Sequence, residues 1–301
     1  MTNLEVSVAM ATYNGAAYIG EQLRSLAEQT QLPAELVICD DGSRDETLQV
    51  AAAFAATAPF PVHIHRNEQR LGYRANFMRA ASLCQSELIA FSDQDDIWEP
   101  NKIKACARRF QNAEVLLTYH NALVIDSEGR EIGVLSNRAA PHATNPPLSL
   151  DPWTYGLGFT LVLRNDLLAL NKLWSQSVDH CKVDEPMAHD QWFFFLAGAL
   201  GKIAYIDEAL VRYRQHGTNL YGWEGCVRPV PTLLSRIRGH LSLRSRLKRL
   251  VGLKTVRRMP PPYETAARRR AEILDAARAM LTGAPAELAL AARNKYRSLA
   301  P

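Results

Sequence analysis

Three carboxylates within four residues, Asp93, Asp95 and Asp96 in the stretch Phe91-Ser92-Asp93-Gln94-Asp95-Asp96-Ile97-Trp98, follow an apolar run, Leu88 to Phe91, that reads as a buried strand. Like charges this close repel one another unless a cation neutralises them. Oxygen ligands at the end of a strand fall where open α/β sheets bind their ligands, so the pattern points to a divalent metal that would hold a diphosphate. The alternative is a solvated acidic turn ahead of a helix after Pro100. An isolated Asp-x-Asp recurs by chance, so the rest of the chain decides between the two.

The elements that must position these residues alternate as in βαβ units. Val6 to Ala11 is a predicted strand, and Ala16 to Glu28 a helix with Ile19, Leu23 and Leu26 at helical spacing. Leu36 to Cys39 is a second strand ending in Asp40-Asp41-Gly42, and Ser43 with Glu46 forms a capping box for a helix through Ala56. A strand Val62 to His65 and a helix Tyr73 to Cys84 lead into Leu88 to Phe91. Such a sheet brings Thr12 to Asn14, Asp40-Asp41 and Asp93 to Asp96 to one edge. Beyond Asn101 the pattern loosens: a helix to Phe110, a strand Val115 to Tyr119, a hairpin at Ser127 to Arg130, a loop Pro141 to Pro152, a strand Gly158 to Leu163 and a helix Asp166 to Trp174. An apolar helix opens at His189-Asp190-Gln191-Trp192, and a strand Ile203 to Ile206 precedes Arg212 to Asn219.

At 301 residues and 47% hydrophobic content the chain can bury a full core. Its first eight residues lack the basic-then-apolar order of a leader, and the apolar run Trp192 to Leu200 is far shorter than the roughly 20 residues of a membrane span. Five cysteines without a Cys-x-x-Cys pair suit the reduced thiols of a cytoplasmic protein. The net charge of +4 is local: nine Lys/Arg and no acid lie between Arg236 and Arg258, and the remainder sums to −5.

Five segments in order, Ala11-Thr12-Tyr13-Asn14, Cys39 to Ser43, Ser92 to Trp98, His189 to Trp192 and Tyr213 to Asn219, resemble the family 2 glycosyltransferases, in particular bacterial rhamnosyltransferase-like members. The resemblance covers residues 5 to 220. It implies an α/β GT-A fold, an open, mostly parallel twisted sheet flanked by helices: residues 1–225 form the catalytic domain (1–100 the nucleotide half, 101–225 the acceptor half) and 226–301 a basic helical extension. It further implies inverting transfer of a sugar, rhamnose among the candidates, from a dTDP- or UDP-linked donor to a saccharide or lipid-linked acceptor of a surface polysaccharide or O-antigen. Asp95, His216 and Asp93 would hold Mn²⁺ or Mg²⁺, and Asp190 would be the base. Thr12, Tyr13, Asn14, Asp40, Asp41, Arg74, Asn76, Asp93 and Gln94 would bind the donor, and Trp192, Tyr155 and Trp98 would lie on the acceptor side.

Plainer roles compete: a turn histidine for His216, a helix cap for Asp190, a solvated helix face for Arg74 and Asn76, and core packing for the aromatics. Asp179-His180-Cys181 has metal-capable side chains without paired zinc spacing and is expected to form an acceptor-side loop. A nucleotidyltransferase shares the sheet and the metal, but Thr12-Tyr13-Asn14-Gly15 is no phosphate loop. A non-catalytic module that binds sugar or membrane is the other alternative. Nucleic acid is an unsuitable partner for a chain whose positive charge is confined to one segment. In that segment Leu243, Leu247, Leu250 and Val251 share a helix face, an arrangement for peripheral contact with the inner face of the cytoplasmic membrane or for packing on the catalytic domain.

Overall fold

The computed structural model describes residues 4–135, 144–217 and 261–300. Four βαβ-linked strands open the chain: β1 (Val6–Thr12), β2 (Glu35–Asp40), β3 (Val62–Arg66) and β4 (Leu88–Ser92), with α1 (Ile19–Ala27), α2 (Thr47–Ala55) and α3 (Gly72–Leu83) between them. They pair in parallel in the order β3-β2-β1-β4. All six residues of β2 and all five of β4 are buried, as expected of parallel strands covered on both faces.

The sheet then turns mixed. β5 (Ile97–Trp98), α4 (Lys102–Ala107), β6 (Val115–Ile125), β7 (Glu131–Leu135), β8 (Thr144–Asn145) and β9 (Val162–Arg164) precede α5 (His189–Leu200) and β10 (Lys202–Arg214). β9 lies antiparallel between β4 and β6, β10 runs parallel to β6, and β5 pairs antiparallel with the far end of β10. The β6–β7 hairpin turns at the predicted Ser127 to Arg130, with Gly129 at φ 83°, where a Cβ would be strained.

Period-two alternation in β1 sends Val6, Val8 and Met10 to a core shared with Leu23 and Leu26 of α1, and Ala9 to the opposite core with Phe77, Trp192 and Phe193. The second core also takes in α6 (Pro261–Arg278) and α7 (Ala284–Leu299). Ala267, Ala271, Leu274, Ala277, Ala289 and Ala292 are buried there, and the five alanines let the two helices approach closely. Arg270 is 3% exposed, stacks over Trp153 and donates to the Pro152 carbonyl and to Tyr296 Oη. The described end of the extension is thus packed on the sheet's helical layer. The basic segment 236–258 and the apolar face of Leu243 to Val251 lie outside the described residues, as does the expected boundary at 225. Among the described residues no helix is long and apolar enough to cross a membrane.

Several element expectations are corrected. The Ser43–Glu46 capping box does not form: Ser43 Oγ is spent on Asp40, and Asp45 receives the amide and hydroxyl of Thr47 where α2 begins. Gly158–Thr160 is a 3-10 turn and not strand, and Asn165–Gln176 is 3-10 in geometry. The strand expected at Ile203 to Ile206 runs on to Arg214, because its far half pairs with β5 and the end of β6.

Candidate active site

The carboxyl ends of β1, β2 and β4 converge on one rim, as the topology requires. The loop after β4 is anchored by Arg214 at the end of β10, whose backbone N–H donates to Asp96 Oδ1 (3.1 Å), Nε to the Asp95 carbonyl (2.9 Å) and Nη2 to Glu21 of α1 (2.6 Å). This brings the next turn of chain to the acid loop. His216 Nε2 lies 2.8 Å from Asp95 Oδ2, and its ring stacks on Tyr18 at 4.7 Å. Asp96 is fully buried, and its Oδ2 has no hydrogen-bond partner. Burial, then the charges of Asp95 and Asp190, push the Asp93 carboxyl up to about 8, and burial with Asp95 and Asp93 pushes Asp96 well above the usual carboxylate range. Lys102 opposes both from beneath, fully buried, its Nζ on the Phe159 carbonyl (2.6 Å) and 3.5 Å over the Trp98 ring; burial brings its pKa down to about 7.

These residues fit a divalent cation. The carboxylate–imidazole pair is a mixed ligand set that could take Mn²⁺ or Mg²⁺, and the raised Asp93, only partly offset by Lys102, and the orphaned Asp96 Oδ2 mark a loop that would favour added positive charge.

Asp190 is the second residue of α5, which Ala188 caps, so the helix-cap role is not its own. Its Oδ1 accepts the Gln191 amide at 2.8 Å. Burial raises its pKa to about 6, opposed by that hydrogen bond and by Arg74 and assisted by Asp179. Its charge is one of those that raise the Asp93 pKa, after burial and Asp95. Tyr155, 38% exposed, lies close enough for Asp190 to raise its phenol to about 12, burial being the larger cause.

Beside the rim lies an open cleft of about 540 Å³ lined by Tyr13, Asp41, Gly42, Arg44, Arg66, Asn67, Glu68 and Arg70. The Arg70 guanidinium sits 4.0 Å over the Tyr13 ring. Nothing in the sequence reading pointed to Arg44, Arg66 and Arg70; the available signal was an arginine at the end of β3 with one just past β2 and another just past β3.

Other expected donor contacts are redirected. Asp40, fully buried, accepts from Thr12 Oγ1 (3.0 Å), the amides of Gly42 and Ser43, and Ser43 Oγ (2.5 Å), so neither it nor buried Thr12 is open to a nucleobase. Asp41 accepts from Asn67 Nδ2 and the amides of Leu71 and Gly72, and so holds the start of α3 and not α2. Asn14, at φ 48°, ties its loop to Ser43 and Arg44. Gln94 clamps the Tyr13 backbone at both N–H and C=O, so tightly that a Cβ on Gly15 would meet its Oε1 at 2.2 Å. Arg74 is no pyrophosphate contact: it is buried, with Nη2 on Asp179 (2.8 Å), Nε 2.7 Å from Glu185 and Nη1 on the Pro186 carbonyl (2.8 Å). Asn76, also buried, bridges Asn67 and the Cys39 carbonyl. Trp192 (0% exposed) and Trp98 (2%) are core residues and cannot meet an acceptor.

A 3-2-1-4 parallel half continued into a mixed sheet, with helices on its faces, defines a GT-A glycosyltransferase fold. The chain belongs to the glycosyl transferase family 2, whose sequence model matches residues 7–168. It is 27% identical over 234 residues to an uncharacterized glycosyltransferase of Nostoc, covering 72% of this chain and 66% of that one. It is 30% identical over 220 residues to the dTDP-rhamnosyl transferase RfbG of Shigella flexneri, covering 71% and 73%. S. aureus TarS 1–349 in complex with UDP-GlcNAc superposes with a TM-score of 0.52 at 18% identity, covering 99% of this chain and 90% of that one, a likeness of fold. The chain thus spans just under two thirds of the Nostoc relative.

Proposed function

We propose that this chain transfers a sugar from a nucleoside-diphosphate donor to an acceptor hydroxyl with inversion at the anomeric carbon. One juxtaposition carries the proposal: Asp95 and His216, 121 residues apart in sequence, meet at 2.8 Å in the loop that also holds Asp93, whose pKa the charge of Asp190 helps to raise. Asp190 accepts the acceptor's hydroxyl proton while that oxygen attacks the anomeric carbon and the nucleoside diphosphate departs from the opposite face. A carboxylate whose pKa is about 6 is ionised at neutral pH yet basic enough to share a proton in the transition state. Asp95 and His216, with Asp93, would hold Mn²⁺ or Mg²⁺, which when bound supplies Lewis-acid stabilisation of the departing diphosphate. Tyr13 and Arg70 offer faces for a nucleobase, Arg44 and Arg66 supply positive charge at the cleft, and Tyr155 lies on the acceptor side.

The RfbG relative supports a dTDP-linked rhamnose donor, and the TarS complex keeps a UDP-linked sugar in view; an acceptor in surface-polysaccharide or O-antigen synthesis belongs to the same proposal. Work at the inner face of the cytoplasmic membrane on a lipid-linked acceptor would suit the basic segment 236–258. Thermal stabilisation by UDP, dTDP and GDP, each with and without Mn²⁺, tests the donor class, because a ligand of the native state raises its stability by mass action. Stabilisation by dTDP or UDP that requires Mn²⁺ is expected. Indifference to all three with metal would refute the proposal. Loss of transfer with donor hydrolysis intact would point to the wrong acceptor.

A further inference from the structure

The loop ahead of α5 gathers three groups that the transfer chemistry does not use. Asp179, His180 and Cys181 each present one ligand atom, and the three atoms lie within 4.8 Å of one another. Asp179 is 2% exposed and His180 7%, whereas Cys181 is exposed to solvent. The His180 ring is fixed by Trp153 and Tyr263, with centroids at 5.4 and 5.1 Å. Its Nδ1 is buried without a hydrogen bond and lies 3.9 Å from Asp179 Oδ1. A buried ring nitrogen left unpaired costs free energy that a bound ligand would recover.

Asp179 has capacity left. Oδ2 accepts from Arg74 Nη2 and Oδ1 from the Cys181 amide, both at 2.8 Å, and a carboxylate offers about four acceptor directions. Burial, reinforced by Arg270, holds the His180 pKa below its ordinary value, so the imidazole is neutral with a lone pair to give. Mixed thiolate, imidazole and carboxylate ligands suit Zn²⁺, while Mg²⁺ and Mn²⁺ prefer the oxygen-rich set at Asp95.

We propose that Asp179 Oδ1, His180 Nδ1 and Cys181 Sγ form a zinc site with solvent in the fourth position. Ligand atoms bound at ~2.0–2.3 Å sit closer together than 4.8 Å, and rotation of the exposed Cys181 side chain closes the gap. Binding releases the Cys181 thiol proton to solvent, so affinity climbs with pH. An occupied site would stiffen the segment that leads into Asp190.

Cobalt titration of the full chain, without nucleotide or sugar, is the test, because Co²⁺ bound to a thiolate acquires a near-ultraviolet charge-transfer band. A band saturating at one equivalent and erased by equimolar Zn²⁺ is expected. It should vanish in Cys181→Ser, whose exposed position leaves folding intact, and persist in Asp95→Ala. His180→Gln should weaken Co²⁺ binding by more than about tenfold, since even indirect ligand partners contribute that much. No band in the wild type, a band retained in Cys181→Ser, or affinity unchanged in His180→Gln would each overturn the site. None of these readouts depends on glycosyl transfer, so the two proposals fail separately.

Discussion

At the end of β2, two carboxylates meet a surplus of donors; at the end of β4, three meet a deficit. Asp40 accepts from two amides and two hydroxyls, and Asp41 from two amides and an amide side chain, so their charge is consumed in building the rim. At the end of β4, Asp96 keeps one oxygen unpartnered, Asp93 is pushed to about 8, and a single buried ammonium, Lys102, works against both. The difference teaches that a carboxylate at a strand end is a ligand candidate only where the backbone has left it without donors.

Four experiments break or sharpen that contrast. The largest effect belongs to Asp190→Asn, which removes the proton acceptor and keeps its shape: transfer should fall by about 10²–10⁴-fold with donor affinity unchanged. Steady-state rates set beside nucleotide titration decide, and transfer within tenfold of wild type removes Asp190 from the base role. Next is stability on the saturated side. Asp40→Ala leaves several buried donors unpaired and should cost about 3 kcal/mol in urea unfolding, whereas Asp93→Asn should cost nothing or stabilise the metal-free protein. Equal losses in both would erase the contrast.

The third concerns pH. Asp93's folded pKa of about 8 is raised above its unfolded value near 4, so the stability linked to its proton is complete below pH ~4 and is lost as pH rises through ~8. Metal-free protein should therefore melt lower at pH 8 than at pH 6. Asp93→Asn should flatten that slope and Mn²⁺ should reverse it, the latter less so in Asp95→Ala and His216→Ala. A slope unchanged in Asp93→Asn assigns the effect elsewhere. The smallest effect is at Arg74, whose charge lowers the Asp190 pKa and whose contacts fix the loop ahead of it. Activity governed by Asp190 should rise with pH through ~6, since the base works deprotonated, and Arg74→Met should move that limb upward with Arg74→Lys in between. An unmoved limb would leave Arg74 a purely structural brace.

Period and punctuation made the parallel half legible. Ile19, Leu23 and Leu26 face the core as their spacing requires, and β1 to β4 stand within a residue or two of the apolar runs that announced them. The mixed half of the sheet was less legible: β6 and β10 continue well past their apolar stretches because neighbouring strands, and not their own side chains, satisfy the backbone there. Arg214 gave no local sign of anchoring the acid loop, since its partners Glu21, Asp95 and Asp96 are distant in sequence. Trp98 and Trp192 looked available to sugar, yet Lys102 covers one and the helical layer buries the other.

The sequence by itself determined which residue types stand at the carboxyl ends of the strands, because strand period and turn chemistry are local and place Asp40, Asp41 and Asp93 to Asp96 on one edge whatever the rest of the chain does. Tertiary structure alone decided which of those acids are free to act. Hydrogen-bond donors and burial arrive from Leu71, Lys102 and Arg214, contacts made only after the chain has folded. A carboxylate's charge and proton affinity are set by those neighbours and not by its place in the chain.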